Sequence, residues 1–240
     1  MRQQLKLLTM SDIHAEQVRW LWEPYLPRGK ITIIQGDPGD GKTTFVLALA
    51  ALLTQGLPMP GGSAAAPPMN VIYQTAEDGL ADTIRPRLDV LGADCSRVLV
   101  IDESERELTL DDQRLAQAIR QTGAGLAVLD PIQAYLGNNV DMHRANEVRP
   151  IFKRLGQLAE QTGCAIVLVG HMNKMQGAKS AYRGLGSIDF RAAARSVLLV
   201  GHSKDDDDLR VVVHDKSSLA PEGPAILFSL DSALGFQWKG

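Results

Sequence analysis

Two cysteines, Cys95 and Cys164, are all that the 240 residues carry. That is too few for a disulfide framework, and no grouping of residues with metal-ligand spacing accompanies them. Long hydrophobic runs are missing too. Nothing approaches the ~20 apolar residues of a membrane span, and the N-terminus lacks the apolar core of a signal peptide. The expectation is a cytoplasmic protein without membrane contact. An excess of positive charge is also absent: 25 Lys and Arg stand against 28 Asp and Glu, a formal net charge of −3. No global field therefore draws the chain to nucleic acid, and any such contact must come from local loops or from a ring that concentrates a few charges. What is present is 45% hydrophobic residues, enough for one sizeable α/β domain.

The most informative stretch is Gly36-Asp37-Pro38-Gly39-Asp40-Gly41-Lys42-Thr43, which fits the phosphate-loop pattern G-x-x-x-x-G-K-[ST]. The β-branched run Ile31-Thr32-Ile33-Ile34 precedes it and a helical pattern from Thr43 to Leu53 follows, so the pattern sits at a strand-to-helix turn. Glycines there let backbone N–H groups turn inward around phosphate oxygens, and the helix N-terminus adds partial positive charge. Lys42 can reach the β- and γ-phosphates, and the Thr43 hydroxyl can hold Mg²⁺. Residues Gly36 to Thr44 form the candidate ATP-binding set.

Other stations follow in order. Residues 1–28 read as a lead-in, either a strap packed on the core or an arm that docks on a neighbouring subunit; residues 29–240 read as the ATPase domain. Asn70 to Thr75 reads as a strand running into Ala76-Glu77-Asp78. Ligands of open α/β sheets bind at the carboxyl edge of the strands, so Glu77 is placed to polarise a water, while Asp78 suits the first turn of a helix. That helix spans Leu80 to Leu91, with Pro86 delaying or kinking it. Ser96 to Ile101 reads as a strand, and Thr109-Leu110-Asp111-Asp112 as a capping box opening a helix to Gln121. Gly125 to Asp130 is an apolar strand ending in an aspartate able to hold Mg²⁺ beside Thr43. A helix is expected over 149–161 and a strand from Ala165 to Val169.

That strand ends in Gly170-His171-Met172-Asn173-Lys174, where His171 can sense the γ-phosphate. The glycine-rich stretch beyond it carries Lys174, Lys179 and Arg183 with Tyr182. It is either a solvated loop or one that grips a nucleic-acid backbone and stacks a base. The C-terminal part reads as strands over 195–200, 210–214, 225–230 and 235–238, with the acidic run Asp205 to Asp208 at a hairpin tip. Lys216 is either a surface lysine or a finger reaching a neighbour's ATP.

On these residues, the chain resembles RecA-type P-loop ATPases that form hexameric rings. It is most similar to the small RepA-type replicative helicases of plasmids and phages, and more distantly to the motor domain of DnaB-type helicases. The matching segments are GDPGDGKTT at 36–44, YQTAEDGLADTIRPRL at 73–88, LAVLDPIQAYL at 126–136, VGHMNK at 169–174, RGLGSIDFRAAARSVLLV at 183–200 and HDKSSLAPEGP at 214–224. The resemblance implies a central, mostly parallel sheet flanked by helices, with the His171 strand inserted between the phosphate-loop and Asp130 strands. It implies Glu77 as the water-activating base and the loop after His171 lining a channel for single-stranded DNA. It further implies Lys216 as a finger to the next subunit's nucleotide in a homo-hexamer, and Arg195 is a second candidate for a charge near that interface. Ser218 stands where many relatives have Asn. No separate N-terminal domain of the DnaB kind is read here, so primase and loader binding are not carried over. Three functions compete: an ATP-driven helicase or translocase on single-stranded DNA, a RecA-fold switch acting on a protein partner, and a small-molecule kinase. The last fits worst, because Glu77 suits water activation and no lid or substrate domain is apparent.

Overall fold

A computed structural model describes residues 6–62, 64–137, 140–142, 144–172, 188–231 and 235–239. Its frame is a nine-stranded sheet. Strand β3 (Ile31–Gly36) is central, and α1 (Lys42–Gln55) follows it directly through the phosphate loop. Next come β4 (Val71–Thr75), a π-turn at Leu80–Ile84, α2 (Arg85–Val90) and the two-residue β5 (Val98–Leu99). Then follow α3 (Gln113–Thr122), β6 (Leu126–Asp130), α4 (Ala145–Thr162) and β7 (Ala165–His171). The chain ends with α5 (Ile188–Ala193) and the strands β8 (Ser196–His202), β9 (Leu209–Ser217), β10 (Ile226–Asp231) and β11 (Gly235–Trp238). The order across the sheet is β11-β10-β9-β8-β3-β7-β6-β4-β5. The six strands from β8 to β5 pair in parallel, and β9 to β11 extend the sheet antiparallel. β7 thus lies between β3 and β6, as expected.

The central strands are buried on both faces, which their near-continuous apolar runs require. Alternate residues feed two cores. Ile34, Tyr73, Val128 and Val167 face α1 and α2, and Ile33, Ile72, Leu129 and Leu168 face α3 and α4. Helix α1 is buried nearly all round, from Phe45 to Ala51 and again at Leu53. Its outer side is covered by a short antiparallel pair, β1 (Trp20–Trp22) with β2 (Leu26–Pro27), and by the C-terminal strands.

Residues 20–27 of the lead-in therefore pack on the core. Trp22 stacks near Tyr25 and Phe45, with ring centroids 4.3 and 6.2 Å away, and its indole N–H donates to the Pro60 carbonyl at 2.8 Å. The Tyr25 hydroxyl donates to the Pro224 carbonyl at 2.6 Å. By contrast Leu7, Leu8 and Met10 are exposed.

Several boundaries differ from the sequence reading, each for a local reason. α3 is capped by Asp112, whose carboxylate accepts the Arg114 N–H at 2.9 Å; Thr109 bonds to Asp111 instead. α4 starts at Ala145 and keeps Pro150 in its second turn, where the N–H that proline lacks leaves one carbonyl of the first turn unpaired within the helix. β5 shrinks because Gln74 takes the place of a pairing strand: its side-chain amide bonds both the N–H and the carbonyl of Ile101.

A buried histidine ties the strap to the sheet. His214 on β9 stacks on Tyr25 at 5.4 Å, accepts the Gly223 N–H at Nδ1 and faces the Ser196 hydroxyl at 2.9 Å through Nε2. Nδ1 must then be the unprotonated nitrogen. Burial pulls the His214 pKa below its ordinary value, so the unfolded chain binds the proton more readily. Stability is complete above the ordinary value of about 6.5 and falls as the pH drops through it. Urea titrations of wild type and His214→Gln should show the wild-type advantage shrinking between pH 7 and pH 5; a constant gap would rule out a neutral, buried His214.

Candidate active site

The sheet's carboxyl edge gathers five of the residues singled out above. Register puts Gly36 of β3 beside His171 of β7, and Thr75 of β4 beside Asp130 of β6. The phosphate loop rises from Gly36 with left-handed turns at Gly39 (φ 87°) and Gly41 (φ 85°). Two close approaches fix it. A Cβ on Gly36 would lie 2.3 Å from the Val200 carbonyl, and one on Gly41 would lie 2.6 Å from Leu230 of β10. The backbone clash at Gly36 and the left-handed φ at Gly41 each call for glycine.

Within the loop, the Asp37 N–H donates to Asp40 at 2.6 Å and the Lys42 ammonium donates to the Asp37 carbonyl at 2.7 Å. Both side chains are nearly buried, Lys42 at 4% and Asp40 at 6% exposure. Burial lowers the Lys42 pKa and raises that of Asp40, each against the pull of the other's charge. The first turn of α1 then presents Thr43, whose hydroxyl donates to Asp130 at 2.7 Å. Asp130 also accepts the Tyr73 hydroxyl at 2.9 Å, and burial raises its pKa.

Glu77 stands exposed just beyond β4, 3.6 Å from Nε2 of His171. Nδ1 of His171 is buried and has no partner among the described residues. Asp78 turns away to pair with Arg87 at 3.0 Å. The arrangement brings Lys42, Thr43, Asp130, Glu77 and His171 to one edge.

Lys216 lies elsewhere in the chain. It pairs in register with Val197, which is level with Ile33, three residues below Gly36. Its ammonium donates to the carbonyls of Arg191 and Ala194, each at 2.7 Å, capping α5. Arg195 next to it is exposed. Lys174, Lys179 and Arg183 lie outside the described residues.

Two site residues escaped the sequence reading. Tyr73 sits two residues before the tip of β4, inside what reads as plain strand. His202 ends β8 and reaches Asp40 at 3.3 Å. A signal for His202 existed: Leu-Val-Gly-His occurs at 168–171 and again at 199–202, on the two strands that flank β3. An apolar pocket of about 430 Å³ adjoins the loop, lined by Thr44, Pro86, Arg87, Val90, Leu230 and Phe236 among others.

The oxygen-only pair of Thr43 and Asp130 is chemically suited to Mg²⁺, which takes one or two protein oxygens and completes its shell with phosphate and water. No group of three or more potential metal-ligating His, Cys, Asp or Glu occurs among the described residues, as this mode of binding allows.

A glycine-rich loop clamped between a buried strand and helix, with a buried lysine, a Thr–Asp pair and a strand inserted beside it, defines a RecA-like P-loop ATPase. The chain belongs to the AAA domain family, whose model matches residues 2–177. Among curated relatives, the "DNA repair protein RadA" of Halalkalibacterium halodurans is 30% identical over 152 residues, 62% of this chain and 29% of that protein. Its Bacillus subtilis counterpart is 28% identical over 149 residues, 61% of this chain and again 29% of the relative. The chain thus spans less than a third of either protein. Among solved structures, a KaiC-like protein of Pyrococcus horikoshii OT3 superposes with a TM-score of 0.65 at 15% identity, covering 93% of this chain and 100% of that one. A second solved structure, itself an ATPase domain, gives 0.66 at 13% identity, covering 88% and 84%. These two likenesses establish the fold. No helix among the described residues is long and apolar enough to cross a membrane.

Tyr73→Phe removes a buried hydrogen bond to a carboxylate. It should cost about 1.5–3 kcal/mol in denaturant unfolding; an unchanged midpoint would mean that the Tyr73–Asp130 contact carries no stability.

Proposed function

We propose that this chain is the motor domain of an ATP-driven ring, hexameric by the resemblance, that moves along single-stranded DNA as a helicase or translocase of a plasmid, phage or mobile element. The observation that carries the reading is the Glu77–His171 pair at 3.6 Å on the edge that also presents Lys42, Thr43 and Asp130. Phosphates of ATP would lie on the N–H groups between Gly39 and Thr44, and Lys42 would exchange the Asp37 carbonyl for β- and γ-phosphate oxygens. The purine fits the apolar pocket beside Thr44, against Phe236 and Pro86. Thr43 and Asp130 would hold Mg²⁺, directly or through water. The ion would supply charge neutralisation at the phosphates.

Glu77 orients and polarises the attacking water, while Lys42 and the loop amides stabilise charge developing on the phosphoryl group. Because Glu77 is exposed and lies 3.6 Å from His171, a γ-phosphate drawing on either side chain changes the contact just ahead of segment 173–187. That segment carries Lys174, Lys179 and Arg183, the proposed DNA contacts. The name of the RadA relatives supports a DNA-related role. Lys216 serves as the trans-acting finger in this reading, giving up the α5 carbonyls for a neighbour's nucleotide; Arg195, already exposed, is the second candidate. A RecA-fold switch without unwinding is the alternative, and the absence of any DNA response would select it.

Two measurements test the reading. Glu77→Gln should bind ATP with an affinity near wild type yet turn it over at least about 100-fold more slowly; normal turnover would assign the base elsewhere. Single-stranded DNA should stimulate hydrolysis by the wild type. Replacing Lys174, Lys179 and Arg183 by Ala should remove that stimulation and flatten the salt dependence of binding by about two to three charges' worth. Stimulation that survives the triple change would displace the DNA path from this segment.

A further inference from the structure

The same sheet edge opens, on the β4–β5 side, into a crevice of about 740 Å³. Its size falls within the roughly 300–1,000 Å³ of pockets that hold drug-sized ligands. The walls are the end of β4 at Gln74–Ala76, the loop from Val100 to Thr109 and the turn from Gln133 to Gly137. Three carboxylates line it, Asp102, Glu103 and Glu107, and among the described residues no lysine or arginine does.

Acidity alone would be a solvated face, but two buried acceptors accompany it. Tyr135 lines the crevice at 1% exposure, and its hydroxyl has no partner among the described residues; neither has the buried Oε1 of Gln133. A buried polar atom without a partner is costly, and both atoms can accept hydrogen bonds. Burial and the neighbouring charge of Glu103 also raise the Tyr135 pKa, so the phenol stays neutral.

The crevice is held in shape. Glu103 accepts the Gln74 amide at 2.7 Å and the Leu108 N–H at 2.8 Å. Arg114 braces the loop from behind, donating to the carbonyls of Asp102, Arg106 and Glu107 and to the Asp112 carboxylate. Gln74 likewise directs its N–H groups to Glu103 and Ile101, so the walls offer acceptors. Apolar surface is available too: Leu80 and Val100, both on the lining, are 47% and 42% exposed.

We propose that this crevice binds a guanidinium or ammonium group carried on an apolar stem. The positive head takes Glu103, the Tyr135 hydroxyl and Gln133 Oε1, with Asp102 and Glu107 adding charge, and the stem lies against Leu80 and Val100. Nucleic acid is excluded by the same carboxylates. Two sources share this chemistry, an arginine or lysine side chain on a protein segment and a free polyamine. Glu77 and Asp130 stand on the segments that form two of the walls. Occupancy therefore feeds into ATP turnover, a coupling that rests on the function proposed above.

The experiment uses the full chain without nucleotide. A fluorescent nonapeptide with one central arginine is titrated by anisotropy at low salt, beside its citrulline counterpart, with spermidine and free arginine as competitors. The arginine peptide should bind, and the citrulline peptide should bind at least about tenfold more weakly. Glu103→Gln should cost about tenfold. The doubly exposed pair Asp102→Asn with Glu107→Gln, which spares the Glu103 and Arg114 bonds and leaves an amide oxygen to accept the Ser104 N–H, should also weaken binding. Tyr135→Phe should weaken binding while leaving the melting temperature unchanged or raised, a split that a purely structural hydroxyl would not produce. Competition by spermidine identifies a polyamine-accepting site, and its failure identifies a peptide site; either supports the proposal. No binding to wild type, or equal binding of both peptides, overturns it. If binding holds but saturating peptide leaves ATP turnover unchanged, the crevice binds its ligand without coupling to hydrolysis, and the coupling alone is overturned. If the Glu77 reading fails, the binding result still stands.

Discussion

Lys42, Asp40 and Asp130 are ionisable groups buried at one edge of a sheet, and their satisfaction constrains everything around them. An ion out of water needs a partner or a polar cradle. Here the partners are local: Asp37 backbone for Lys42 and Asp40, and Thr43 with Tyr73 for Asp130. The strands must therefore end in register, the loop must turn with glycine at Gly36 and Gly41, and α1 must start where its first turn meets β6. Because burial pushes all three toward their neutral forms, the site gains most from a ligand that brings both negative phosphate and positive charge.

Much of this was legible in the sequence because the chemistry is local in the chain. The phosphate loop, with its preceding β-branched strand and following helix, is one contiguous string. The strand tips at Glu77, Asp130 and His171 each close an apolar run, and the family resemblance supplied the insertion of β7 between β3 and β6. What was missed depends on side chains acting across strands. Tyr73 reads as ordinary strand until register places it under Asp130. Gln74 substitutes for a pairing partner of Ile101, so β5 is shorter than its apolar residues suggest. Lys216 caps a helix that lies 22 to 25 residues away in sequence, a contact that no spacing rule contains. His202 was recoverable from the repeated Leu-Val-Gly-His, yet only the sheet order shows that the two copies flank the same strand.

The two faces of the sheet have different characters. The face covered by α3 and α4 is built from consecutive β-α units, the local connectivity expected of doubly wound folds. The face covered by α1 is completed from far away: β1 and β2 precede it, and β10 and β11 follow it by some 170 residues. Phe45 shows the result, stacked with Phe228 at 5.4 Å and edge-on to Trp238 at 5.8 Å while also touching Trp22. The nucleotide helix is thus enclosed by segments that enter the fold at its beginning and its end.

This enclosure has a consequence for how the protein is made. The bond from Tyr25 to Pro224 joins residues 199 positions apart. A ribosome adding about 5–20 residues per second needs on the order of 10–40 s to deliver the second after the first. During that interval Trp22, Tyr25 and the outer side of α1 lack their final cover. The earlier of the two segments is therefore among the last parts of the domain to settle, and the nascent chain carries an aromatic surface that any co-translational binding factor would meet before the domain closes.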